Sequence, residues 1–219
     1  MKTTNKLLTL IIIFSSLFSL QSQNKFSKRK IENLKEEVSQ LVEDDKKMTQ
    51  VMIDKVFSFG ELGFQEFETS KYLGKILEEN GFDVEYQISG IPTSWLATWS
   101  NGEGGPTIAL GSDFDGVPST SQYPGVAYEK PVVEGAPGHG EGHNIGLPIV
   151  ITSAIAIKKI MIENNINGKL VLWPGVAEEI LGAKAWYVRD GYFDNIDMCI
   201  FTHVSTNMST SWGRPSGTG

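Results

Sequence analysis

Three short apolar runs, Thr107–Gly111, Lys169–Trp173 and Ile196–Thr202, each lead into residues that can hold a metal ion or move a proton. Stretches of helical periodicity separate them. Strands alternating with helices predict an α/β fold: a three-layer, mostly parallel sheet with helices on both faces. In open sheets of this kind, ligands bind beyond the carboxyl ends of the strands. Asp113 and Asp115 follow the first run, Glu178 and Glu179 the second, and His203 the third. The topology therefore delivers five candidate metal or acid–base groups to one sheet edge.

The remaining organisation supports this frame. From Lys28 to Phe57, apolar residues recur at helical spacing, with the polar run Glu43–Lys47 marking a join between two helices. A second amphipathic helix is expected over Glu66–Asn80, with Gly81 as its stop. Phe82–Ile88 and Trp95–Trp99 read as strands, and Met208–Trp212 as one more. Helices are expected at Leu147–Glu163 and Glu178–Asp190. Between strand and helix, residues 113–142 show no periodicity and are rich in Gly, Pro and Ser, and loops of that length are usually functional.

That loop ends in His139-Gly140-Glu141-Gly142-His143. In an extended chain, residues two apart point the same way, so all three side chains would face one site. The only three histidines of the chain are His139, His143 and His203, all in segments that the strand-end rule places together. Each feature also has a plainer reading. A histidine in a Gly-rich loop is commonly a surface residue, and a Gly run before a helix can cradle phosphate. The spacing Gly140-x-Gly142-x-x-x-Gly146 fails the dinucleotide pattern, however, and no strand leads into it. Glu178-Glu179 at a helix start would complement the helix dipole. Taken together, imidazoles and carboxylates on several strand-end loops suit zinc or a similar divalent ion.

Residues 1–22 stand apart. Lys2 and Lys6 precede the apolar run Leu7–Leu20, which passes into a polar segment, the arrangement of a secretory signal peptide. The run is short for a membrane span, which needs about 20 apolar residues. We therefore expect a secreted or periplasmic protein with no stable membrane span after signal removal, and a metal-dependent catalytic domain over 23–219. Removing 1–22 leaves 17 basic against 26 acidic residues, a formal charge of −9. A surface so acidic, with no basic stripe, argues against nucleic acid as a partner. Cys199 is the single cysteine, so no internal disulfide can form, and its apolar neighbours suggest a buried core position.

From Phe57 onward the sequence resembles the metallopeptidase family of aminoacylases, zinc carboxypeptidases and auxin-conjugate amidohydrolases, most closely its branch of p-aminobenzoyl-glutamate hydrolases. The anchors are Phe59-Gly60-Glu61-Leu62-Gly63-Phe64-Gln65-Glu66, Gly90-Ile91-Pro92-Thr93, Asp113-Phe114-Asp115-Gly116-Val117-Pro118, Gly138-His139-Gly140-Glu141-Gly142-His143-Asn144, Pro174-Gly175-Val176-Ala177-Glu178-Glu179 and Thr202-His203. Their order along the chain is the family's order.

The resemblance implies a zinc-exopeptidase-like catalytic domain and a role for each matching position. His143, Glu179 and His203 would ligate metal, Glu178 would be the general base, and Asp115 would support a metal-binding group. Glu141 stands where close relatives often carry a metal-bridging cysteine; a carboxylate there makes the site harder, suiting manganese or cobalt beside zinc. Asp113, His139 and Asn144 are candidates for supporting or substrate contacts. One or two ions are implied, with a small-molecule amide as substrate. Family members are about twice as long, so the chain resembles their N-terminal half, stopping before a lid and dimerisation domain that makes the full-length form a homodimer. The implied activity is hydrolysis of an N-acyl amino acid or p-aminobenzoyl-glutamate-like conjugate. The alternatives are an aminopeptidase or carboxypeptidase acting on dipeptides, and a metal-binding fragment without activity.

Overall fold

A computed structural model describes residues 26–205 and 209–210. The expected signal segment 1–22 lies outside them, and so does most of the strand expected at 208–212. The chain divides at Glu37 into two units. Within the first, helix α1 (Lys28–Asp44) begins, and a Lys35–Glu32 ion pair spans one of its turns. The second unit holds the sheet and the helices that cover it.

The elements of that unit are α2 (Lys46–Phe59), α3 (Phe67–Glu79), β1 (Asp83–Tyr86), β2 (Trp95–Asn101), β3 (Thr107–Asp113), α4 (His143–Glu163), β4 (Gly168–Gly175), α5 (Lys184–Arg189) and β5 (Met198–Thr202). Their sheet has the order β1-β2-β4-β3-β5. Strand β3 pairs in parallel with both β4 and β5, while β2 runs antiparallel to β1 and to β4. Four of the five strands thus point one way and only β2 opposes them. The sheet is mixed in its pairings while remaining mostly parallel in direction, a common arrangement for an edge added to a parallel core.

Both faces of the parallel core are covered, giving the three layers. On one face, Gly146 of α4 lies so close to Ser112 of β3 that a methyl group could not be accommodated. On the other, Tyr187 of α5 meets the Trp173 ring of β4 edge-on, with centroids 6.2 Å apart. Strand β4 is buried from Leu170 to Gly175 because both of its faces are covered, so it reads as a continuous apolar run. Helix α4 is apolar enough and long enough to cross a membrane, but that apolarity serves the sheet: it packs on β3, β4 and α2. Burying side chains such as Leu147 and Ile151 there stabilises the fold by roughly 1.5–3 kcal/mol each.

Three local expectations are corrected. Glu178–Asp190 is not one helix. It is a 3-10 turn at Glu178–Ile180, a break, then α5, because Ala177 and Leu181 take left-handed conformations on either side of the turn. Helix α4 starts at His143 rather than Leu147, despite Pro148 inside it. Cys199 is exposed, not buried: β5 is an edge strand, and its residues Cys199–Phe201 stay open.

The loop after β3 is pinned rather than loose. Single bridges join Leu62 to Gly116 and Val117 to Gly138, and Ser121 N–H donates to Ala136 O at 3.0 Å. The base of the loop is thereby closed, which fixes where His139–His143 emerge.

Candidate metal centre

The parallel register aligns the strand ends. Asp113 is opposite Gly175, and Ser112 is opposite Thr202, so the segments after β3, β4 and β5 leave the sheet at one level. The first turn of α4 meets them there. Gly142, with φ +77, turns the loop into the helix, and a Cβ at this position would come within 3.0 Å of Val204. That approach sets His143 beside His203.

The two imidazoles meet edge-on, ring centroids 5.2 Å apart, with their Nε2 atoms 3.2 Å apart. The His143 Nδ1–H donates to Asp115 O at 3.0 Å, and the His203 Nδ1–H donates to Val204 O at 2.7 Å. A carbonyl oxygen can only accept, so both Nδ1 atoms carry hydrogen, and a ring that holds no second proton presents a lone pair at Nε2. Two lone pairs at that separation repel unless a proton or a metal ion lies between them. Two nitrogens each about 2.0–2.1 Å from one tetrahedral ion would be separated by about this distance. The Nε2 pair therefore fits a shared metal ion.

Carboxylates complete the set. Ligand atoms of Glu141, His143 and Glu179 all lie within 4.8 Å of one another, as do those of Asp113, His143 and His203. Glu141 Oε2 is 3.8 Å from His203 Nε2, and Glu179 Oε1 is buried without a hydrogen-bond partner. The two groups share His143, so Glu141, His143, Glu179 and His203 are brought together from three loops. An imidazole–carboxylate set of this kind holds a divalent ion.

Asp115 braces the centre from beneath. It is buried; its Oδ2 accepts the Glu179 N–H at 3.1 Å, and its Oδ1 lies 3.4 Å from His143 Nδ1. Burial disfavours the charged His143 ring, but Asp115 and Asp113 outweigh burial and hold its pKa above the ordinary value. Burial and the Glu141 charge raise the carboxyl pKa of Glu179. Both shifts describe a crowded cluster of donors that a cation would relieve.

Lys184 joins the site although no motif points to it. Its Nζ is 2.8 Å from Asp113 Oδ1 and 3.9 Å from Glu178 Oε1. Asp113 is thus an ion-paired strand-end residue as well as a member of one donor group. Glu178 belongs to neither donor group and is held near the centre by Lys184. The only sequence signal for Lys184 is its place six residues beyond Glu178, which a single long helix would turn elsewhere.

His139 does not face the centre with Glu141 and His143. Residues 139–142 form a turn rather than an extended strand, and the His139 Nε2–H donates to Val56 O at 3.1 Å. Burial lowers its pKa to about 4, so the ring is neutral. It packs behind the loop and joins neither donor group. Asn144 is buried in the first turn of α4, next to His143.

Glu61 has a structural task that its motif does not disclose. Its two carboxylate oxygens accept the Glu68 and Thr69 N–H groups, at 2.9 and 2.8 Å, so it caps α3. Its backbone oxygen takes the Gly116 N–H at 2.7 Å, tying that cap to the loop after β3.

No family model matches the chain. In sequence it is 31% identical over 166 residues to a p-aminobenzoyl-glutamate hydrolase subunit of Escherichia coli K12, covering 76% of this chain and 34% of that protein. It is 32% identical over 139 residues to the hippurate hydrolase of Campylobacter jejuni, covering 63% of this chain and 33% of that one. In fold it matches a dinuclear metal-binding peptidase of the M20 family from Bacillus subtilis with a TM-score of 0.61 at 22% identity, over 74% of this chain and 44% of the other. The chain spans about a third of the length of the curated relatives it matches. In sequence the chain is thus similar to amidohydrolases, and in fold to a metal-binding peptidase of the M20 family.

Proposed function

We propose that this chain carries the metal-holding part of an amidohydrolase that cleaves the amide bond of a small N-acyl amino acid or p-aminobenzoyl-glutamate-like conjugate. The opposed Nε2 pair of His143 and His203 is the observation that supports the reading most directly. Two relatives, named as hydrolases of p-aminobenzoyl-glutamate and of hippurate, supply the substrate class. Two imidazoles with carboxylates suit zinc; Glu141, a hard donor, suits manganese or cobalt as well, with one or two ions in the site.

A divalent ion bound there supplies Lewis acidity towards the amide carbonyl and lowers the pKa of water. Everything else falls to the side chains. His143, His203, Glu141 and Glu179 bind; Asp115 fixes the His143 tautomer and the Glu179 backbone. Glu178 takes a proton from the attacking water on its carboxylate and passes it to the leaving nitrogen, and being outside the donor groups leaves it free to do so. Lys184 keeps Glu178 beside Asp113. The apolar run Leu7–Leu20 supports export, placing the reaction outside the cytoplasm.

The test is a substrate panel on the full-length, zinc-loaded protein: p-aminobenzoyl-glutamate, N-acyl amino acids and dipeptides. Preference for either of the first two is expected. Preference for dipeptides would replace the substrate class with an exopeptidase's. Stoichiometric metal with no hydrolysis of any of the three would make this a binding domain.

A further inference from the structure

Two segments with no part in the proposed chemistry meet the backbone of a third, the one that carries Glu178 and Glu179, at one carboxylate. Glu66 is fully buried. Its Oε2 accepts the Thr93 hydroxyl at 2.7 Å, and its Oε1 accepts the Ala177 N–H at 2.9 Å. Glu66 ends the Phe59–Glu66 segment, Thr93 ends Gly90–Thr93, and Ala177 immediately precedes Glu178-Glu179. A side chain 111 residues upstream therefore grips the backbone at the threshold of the metal centre.

The placement is costly. Among the described residues, no lysine, arginine or histidine pairs with Glu66, and burial pushes its carboxyl pKa up against the two hydrogen bonds. An apolar side chain would fill that volume without burying a carboxylate. What the carboxylate adds is an acceptor at one backbone amide.

That amide belongs to a demanding turn. Ala177 has φ +53 and Leu181 φ +56, left-handed values that side chains other than glycine rarely adopt. The turn Glu178–Ile180 hangs between them. Gly63 leaves room: a Cβ there would come within 3.0 Å of Ala177. Two residues beyond Ala177, the Glu179 N–H goes to Asp115 Oδ2 at 3.1 Å. Glu178 is thus slung between two amides, each fixed by a buried carboxylate.

We propose that Glu66 is a positioning residue: by accepting the Ala177 N–H it sets the backbone direction from which Glu178 and Glu179 project. This rests on the reading of those two glutamates given above. It gives the Phe59–Glu66 and Gly90–Thr93 segments a shared purpose, which is to orient a centre neither of them reaches.

The test uses cobalt alone as the probe. Metal-stripped protein is titrated with Co²⁺, following the d–d absorption band, with thermal melting recorded on the same samples. Glu66→Gln keeps an oxygen for the Ala177 N–H and is expected to bind Co²⁺ within about 3-fold of wild type. Glu66→Ala leaves that amide unmet; it is expected to bind about 10–100-fold more weakly, with a shifted band, in protein that still melts cooperatively. Wild-type affinity and spectrum in Glu66→Ala, even with a lowered melting temperature, would reduce Glu66 to a packing residue and overturn the proposal. So would Glu66→Gln binding as poorly as Glu66→Ala. Should Glu66→Ala not fold, Thr93→Val frees the other carboxylate oxygen: a several-fold loss supports the proposal and unchanged binding overturns it. Wild-type protein that binds no cobalt would defeat the metal-centre reading itself, an outcome distinct from a variant that matches wild type.

Discussion

The Nε2 atoms of His143 and His203 face one another at 3.2 Å while both Nδ1–H groups are committed to backbone carbonyls. Neither ring can turn its other nitrogen inward without abandoning a hydrogen bond. The pair is thus preorganised for a cation, and removing the exposed partner should cost metal binding rather than fold. His203 is exposed, so His203→Ala should melt within a few degrees of wild type. Its zinc affinity should fall by about 100-fold or more, beyond the 10–100-fold cost of losing a mere supporting contact. Competition with a chromogenic chelator measures this.

Glu178 lies outside both donor groups. Glu178→Gln should therefore keep its full metal content, read by inductively coupled plasma mass spectrometry, while kcat for the preferred amide falls by about 10²–10⁴-fold, the usual contribution of a general base. Metal loss in this variant would move Glu178 into the ligand set. Near-normal kcat would remove it from the reaction.

Lys184 and Asp113 form a half-buried ion pair at 2.8 Å. Lys184→Met leaves the buried Asp113 carboxylate without its cation. Breaking a fully buried pair costs about 3–5 kcal/mol, and the partial exposure of Lys184 reduces this to about 1–3 kcal/mol. Burial already raises the Asp113 pKa, opposed by Lys184. Without Lys184 that carboxyl rises further, so the deficit should be largest at neutral pH and shrink as acid neutralises Asp113. Urea denaturation of metal-free protein at pH 7 and pH 5 checks both points, and adding Asp113→Asn should recover part of the loss at pH 7.

His139 makes the opposite kind of pH statement. Burial lowers its pKa from an ordinary 6.5 to about 4. Between those values the unfolded chain binds a proton that the folded chain refuses, so stability must fall as pH drops through that window. At about 1.4 kcal/mol per pKa unit, the loss is at most about 3.5 kcal/mol. His139→Gln can still donate to Val56 O but cannot titrate. Its stability profile between pH 6.5 and 4 should be flatter than that of wild type in parallel denaturation curves.

Local sequence patterns encode some of these features and not others. Apolar runs followed by Asp113, Glu178 and His203 announce which strand ends carry chemistry, and β3, β4 and β5 do leave the sheet at one level. Strand direction at the other edge is not readable, because a half-buried run such as Trp95–Trp99 has the same alternation in parallel and antiparallel pairing. Nothing in Ala177 or Leu181 signals φ > 0, so the turn that splits Glu178–Asp190 is invisible; in place of glycine, the Ala177 N–H bond to Glu66 and the Gly182 N–H bond to Ala177 O sustain it. The His139–His143 alternation misleads because glycines permit a turn as readily as an extended strand. Cys199 looks buried because its neighbours are apolar, which cannot tell a central strand from an outer one. Glu66 and Lys184 escape notice for one reason: their partners are distant in sequence or across a break that the periodicity conceals.

Closure of His143, His203, Glu141 and Glu179 around a shared divalent ion is the proposition on which the proposed chemistry stands. Anomalous diffraction at the zinc edge, from crystals of this protein grown with Zn²⁺, tests it most directly. A peak is predicted between the two Nε2 atoms, about 2.0–2.1 Å from each, with a carboxylate oxygen completing the shell. An anomalous map with zinc bound elsewhere and nothing between the imidazoles would contradict it.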